Sequence, residues 1–148
     1  MTKHEDLDAE LDNRITMLVE AGNIHHDNAN VTDALAAYQQ AWALLPEPKM
    51  AWSVTGWVAA CLYSACFDLQ NFAAAKTWGE IALAANSSAI DTAPLIDLGM
   101  ACYELKEYDA ALNYFAQAWH YGQRRAFQGR PQKYLDYFLQ NRTDPSSG

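Results

Sequence analysis

The residues most able to do chemistry sit in three places. His25, His26 and Asp27 form a polar triplet, and Cys61, Cys66 and Cys102 are the thiols. Arg124, Arg125, Arg130, Lys133 and Arg142 lie among Phe127, Tyr134 and Tyr137 near the C-terminus. Adjacent histidines point apart on a helix, and no second ligand pair follows at metal spacing, so the triplet reads as structural or solvated rather than as a metal site. A cysteine nucleophile needs a positioned histidine, and none lies near Cys66 or Cys102 in sequence. There is no Gly-rich phosphate loop, no Ser-x-x-Lys and no Gly-x-Ser-x-Gly. The expectation is a protein that is not an enzyme, with no cofactor and no metal. Basic residues interleaved with aromatics suit base stacking. Here they read instead as the docking surface of a last helix on an acidic body, or as a self-association surface.

Charge points the same way. Ten Lys and Arg stand against eighteen Asp and Glu, a net charge of −8 over 148 residues. Phosphate neutralisation needs the opposite sign, so nucleic acid is not an expected partner. A hydrophobic share of 51% excludes a disordered chain and suffices for a core. Three cysteines without a Cys-x-x-Cys pair exclude a disulfide scaffold and a zinc ribbon. Residues 50–67, MAWSVTGWVAACLYSACF, are uncharged over a length that reaches a membrane span. They are mostly weakly apolar and are closed by Lys49 and Asp68, so a buried helix is expected instead. The acidic N-terminus, MTKHEDLDAELD, is unlike a secretory signal. A cytoplasmic protein without membrane contact is the expectation.

The elements that must position these residues emerge from self-similarity. LYSACFDLQNFAAA at 62–75 lies over LGMACYELKEYDAA at 98–111, with every matched pair offset by 36. Ala34, Leu35, Tyr38, Gln40, Ala41 and Trp42 match Ala111, Leu112, Phe115, Gln117, Ala118 and Trp119 at a constant offset of 77. The first interval is thus about five residues longer, and PEPKM at 46–50 accommodates the difference. Each unit reads as two helices. Leu7, Leu11, Ile15, Leu18 and Val19 give the first its apolar stripe. Thr32 or Asp33 can cap the second, and Pro46 with Pro48 ends it. Further helices are expected at about 50–69, 72–86, 93–105 and 108–121, with Gly122 as a C-cap. A last helix starts at Pro131 and carries Tyr134, Leu135, Phe138 and Leu139.

The pattern Leu98-Gly99-x-x-Cys102-Tyr103, followed by Tyr108, Ala111, Phe115 and Ala118, resembles the tetratricopeptide repeat, a helix-turn-helix of about 34 residues. The first unit keeps Gly22, Ala34, Tyr38, Ala41 and Pro46. The second departs most, with Tyr63 at a small-residue position and Gly79 where a large aromatic is usual, a gap that neighbouring Trp78 is placed to fill. The resemblance implies an all-α fold, a short right-handed superhelical solenoid of about seven helices. Residues 1–14 would be a polar extension and 15–127 three repeats (about 15–48, 56–89 and 92–125). Residues 128–141 would form a capping helix and 142–148 a flexible tail.

The resemblance also implies a concave groove lined by the first helices of successive units. Carried over by the alignment, that groove shows Asn23, Ser64 and Met100 in one column and His26, Phe67 and Tyr103 in the next. Asp27, Asp68 and Glu104 form a third, acidic in all three units, and Trp57 sits near its start. Such a groove suits a partner protein or peptide with basic groups and an apolar anchor. The family's carboxylate-clamp positions fall on Val19, Ala60 and Ile96 here, with Asn23 alone clamp-like, so a chaperone-tail clamp is not expected. The implied function is a non-catalytic interaction module, an adaptor or scaffold. The alternative is a dedicated neutralising or escort protein, such as a toxin-immunity protein or secretion chaperone.

Overall fold

A computed structural model of the chain describes residues 6–86, 88 and 91–142, and the structural statements below concern these residues. The chain divides into two compact units, residues 1–87 and 88–148. The first unit holds α1 (Ala9–Asp27), α2 (Val31–Leu44), α3 (Thr55–Asp68) and α4 (Phe72–Ala85). The second holds α5 (Ala93–Glu104), α6 (Tyr108–Gly122) and α7 (Gln132–Asn141). No strand occurs among the described residues. Of the expected tail at 142–148, all but Arg142 lies outside them, as do residues 87, 89 and 90 at the join of the second and third repeats.

Local chemistry sets the helix ends. Asp8 caps α1 by accepting from the Leu11 amide at 3.0 Å, so helix begins at Ala9 and residues 9–14 are not a polar extension. Asn30, rather than Thr32 or Asp33, occupies the N-cap of α2. The helix expected from about residue 50 starts only at Thr55, after a 3-10 turn at Lys49–Ala51. Side chains divert the backbone there. Lys49 Nζ donates to the carbonyls of Trp42 at 3.0 Å and Leu45 at 2.8 Å, closing the exposed end of α2. Trp52 Nε1 donates to Pro46 O at 2.8 Å, and the Thr55 hydroxyl donates to Lys49 O. The uncharged run is thereby split, and no helix of the described residues is long and apolar enough to cross a membrane. Gly122 is the last residue of α6, and Gln123, at φ 49°, takes the cap position.

In the first unit Ile15 and Val19 of α1 pack with Ala34, Tyr38 and Ala41 of α2 and with Val58, Leu62 and Ala65 of α3. Trp78 of α4 meets Trp42 of α2 edge-on at 4.9 Å. In the second unit Phe115 of α6 lies 5.4 Å from Phe127 and 6.2 Å from Tyr134 of α7, ring centre to ring centre. Phe138 of α7 lies 5.5 Å from Trp119. The α7 helix buries Tyr134, Leu135 and Phe138 and exposes Gln132, Lys133, Asp136 and Gln140, which is the amphipathic division that a covering helix needs.

Candidate functional site

In the first unit the C-terminal turns of α1 and α3 bring their polar residues together. His26 Nε2 lies 2.6 Å from Asp68 Oδ2, with side chains 21% and 53% exposed, so the carboxylate accepts from the ring and keeps its other oxygen for solvent. Asp27 is exposed on the next position of α1. Phe67 is half-buried, stacked 5.6 Å from Tyr63 and edge-on to Phe72 at 5.0 Å. Asn23 Oδ1 accepts from the Tyr38 hydroxyl at 2.6 Å. Burial, together with Cys61 and Asp27, pushes the Tyr38 hydroxyl up to about 12, so it stays a proton donor to Asn23 at all ordinary pH. Ser64 and Trp57 are exposed on α3, Trp57 at 41%. The unit thus exposes the carboxylates Asp27 and Asp68 at the ends of α1 and α3, with the half-buried ring of Phe67 next to Asp68 in sequence.

The second unit treats the matching positions differently. Met100 is 5% exposed, because α5 is buried around most of its circumference from Pro94 to Cys102, so Met100 is a core residue and not a groove residue. Tyr103 packs against Tyr108, Tyr134 and Tyr137 at 5.7, 5.4 and 5.0 Å. Glu104 accepts from the Tyr134 hydroxyl at 2.7 Å and pairs with Lys133 at 2.9 Å. Burial works against its charge, but the hydrogen bonds from Tyr134 and Lys133 outweigh that and hold the carboxyl below the usual range. Lys133 also lies over the rings of Tyr103 and Tyr134 at 5.5 and 5.0 Å. The acidic and aromatic positions of this unit are therefore engaged by α7. Repeat alignment does not reveal this, since α7 matches no aligned segment. Its only sequence signal is the basic and aromatic content of 123–142.

The remaining chemistry is subdued. Burial pushes the Cys61 thiol up to about 11 and raises that of Cys66, the reverse of an activated thiolate. Cys66 and Cys102 are buried at matching positions, as packing residues would be. Among the described residues no group of three His, Cys, Asp or Glu side chains is placed to hold a metal ion. Val19 and Ile96, at the clamp positions, are fully buried.

No protein family matches the chain, and no curated protein matches it. Solved structures do. The first TPR domain of Spaghetti (RPAP3), bound to the HSP90 peptide SRMEEVD, matches with a TM-score of 0.67 at 17% identity. That likeness covers 86% of this chain and 90% of that one. MamA, a TPR protein, matches with a TM-score of 0.66 at 20% identity, over 86% of this chain and 76% of its own. Identities this low speak to architecture alone, and the architecture agrees with the helix pairs above. The chain has the tetratricopeptide-repeat fold.

Proposed function

We propose that the protein is a non-catalytic interaction module that binds a partner segment on the first helices of its repeats, with the recognition centred on Asp27, Phe67 and Asp68. The observation that carries this reading is that α3 ends in a half-buried aromatic ring followed by a carboxylate, Phe67 and Asp68, with Asp68 paired to His26 of α1, whose neighbour Asp27 is exposed. An aromatic anchor supplies affinity and fixed charges supply selectivity and encounter rate. The neighbouring TPR domain is bound to a peptide with three acidic residues, SRMEEVD. Here the surface is itself acidic, so the complementary segment carries Lys or Arg and an apolar side chain. Tyr103 and Glu104 serve α7 first and contribute to a partner only at the rim.

The neutraliser or escort role is the second reading, favoured by the net charge of −8, which suits a strongly basic partner. The two separate by affinity: a single dedicated partner binds tightly over a standard-size interface, whereas an adaptor exchanges several weaker ones. The test is recovery of partners by the tagged protein from the cells that make it, at low and high salt, beside the Asp27→Lys, Asp68→Lys double variant. Charge reversal is expected to reduce recovery of the bound protein at least tenfold while the circular-dichroism spectrum stays helical. Undiminished recovery by the folded double variant would refute a site at these carboxylates.

A further inference from the structure

The first unit contains an internal standard for the second. Positions 22, 38 and 42 correspond to 99, 115 and 119 at the same offset of 77. The packing repeats with them: a Cβ built on Gly22 would fall 2.4 Å from the Tyr38 ring, and one on Gly99 2.3 Å from the Phe115 ring. On α2, Trp42 is met edge-on by Trp78 of the following α4. On α6, the equivalent Trp119 has no second tryptophan against it among the described residues. Phe138 approaches it from α7, and the Arg142 guanidinium lies 5.0 Å over its ring. Beside them is an open cavity of about 480 Å³, lined by Leu112, Ala116, Trp119, His120, Phe138 and Arg142 among others.

The charge of the slot narrows what fits. Arg142 and His120 line it and no carboxylate does. The surface proposed above for partner binding is acidic, so one ligand is not expected to satisfy both. We propose that this α6–α7 slot is a second docking site, which takes an amphipathic helix of another protein. That helix sets one aromatic side chain against Trp119, as Trp78 is set against Trp42, and one carboxylate against Arg142. An aromatic anchor seated against exposed apolar rings is a common source of interface affinity.

The chain supplies its own probe. A blocked peptide of residues 71–86, NFAAAKTWGEIALAAN, is the helix that brings an aromatic to the equivalent position in the first unit. It is titrated into the full-length protein while the tryptophan indole signals are followed by NMR. The expected result is a saturable shift of the Trp119 signal. A Trp78→Ala peptide should bind at least tenfold more weakly. An Ala74→Glu peptide, with a carboxylate one turn before the tryptophan, should bind about threefold more tightly at low salt. Ala116→Arg in the protein fills the exposed lip of the slot without removing a core side chain, and should abolish the shift. The Asp27→Lys, Asp68→Lys variant should bind the peptide unchanged, which separates this site from the one above. No Trp119 shift at millimolar peptide, or a shift that survives Ala116→Arg, overturns the proposal. So does a Trp119 signal that depends on protein concentration without peptide, because the occupant would then be a second copy of the chain.

Discussion

At Gly22 and Gly99 the first helix of a pair lies so close to the ring opposite that no methyl group fits between them. Tyr38 and Phe115 are fully buried, and their rings cannot swing aside without opening the core. Helix propensity alone would make Gly22→Ala stabilising by about 1 kcal/mol. Overpacking reverses the sign, and we expect Gly22→Ala to destabilise the protein by about 1–3 kcal/mol in urea denaturation. Gly56→Ala is the control, because its Cβ would meet Ala85 Cβ at an ordinary 3.4 Å. If the two variants prove equally stable, close approach is not what keeps glycine at position 22. The neighbouring position shows how much of the site could be read from residue types. Asn23 aligns with Met100, and the hydroxyl that Asn23 accepts from on Tyr38 is absent from Phe115. Alignment therefore identified matching positions correctly while hiding that one is an exposed polar residue and the other core. It likewise placed Glu104 in the acidic column but not the Tyr134 and Lys133 that engage it, because those belong to a helix outside the repeat.

The helix pairs share one turn, repeated three times. Ala29, Gln70 and Lys106 follow the first helices at the repeat spacing and all adopt the left-handed conformation, at φ 63°, 61° and 63°. The next residue in each turn donates back to the helix: Asn30 to His25 O at 2.8 Å, Asn71 to Cys66 O and Glu107 to Cys102 O at 2.9 Å. These bonds satisfy carbonyls that helix ends otherwise leave unpaired. The position favours glycine, yet none of the three turns has one. Gln70→Gly is therefore expected to raise stability by about 0.5–1 kcal/mol, seen as a higher Tm, because Gln70 is exposed and the left-handed strain is relieved. A lower Tm would mean that the Gln70 side chain contributes more than its backbone strain costs. Without glycine to mark them, these turns show in the sequence through Asn28, Asn30 and Asn71, the break in apolar period and the repeat register. That sufficed to place α4, α5 and α6 within about a residue. It failed at residues 50–54, where an uncharged stretch carries helical composition but Lys49, Trp52 and Thr55 tie the backbone into a different path.

Over the whole chain, charge is divided unequally between the units. Residues 1–87 carry four basic and eleven acidic side chains, and 88–148 carry six and seven. The second unit places its positive charge where it secures α7 and the turn before it, through Lys133 on Glu104 and Arg130 on Asp97 at 2.5 Å. These two carboxylates respond to pH in opposite senses. Burial pushes the Asp97 carboxyl up from 3.8 to about 6, against the attraction of Arg130. The folded protein then holds this proton more tightly than the unfolded chain, so Asp97 favours folding below about pH 4 and loses that contribution as pH rises through 6. Glu104, held below its usual value, contributes stability at neutral pH that starts to fall as the unfolded carboxyl protonates and is gone once the folded one does. We expect unfolding of the wild type to show a gain on going from pH 7.5 to pH 5 that is absent from Asp97→Asn, with a difference on the order of 1–3 kcal/mol. At pH 7.5 the variant should match or exceed the wild type, since a neutral amide replaces a carboxylate that burial penalises. At pH 5 the gap should be narrower, because the folded carboxyl is then mostly neutral, and it should close only near pH 4, where the unfolded chain is protonated as well. Wild type exceeding Asp97→Asn by several kcal/mol at pH 7.5 would show instead that the Arg130 pair is net stabilising. Its dependence on pH would then have the opposite slope.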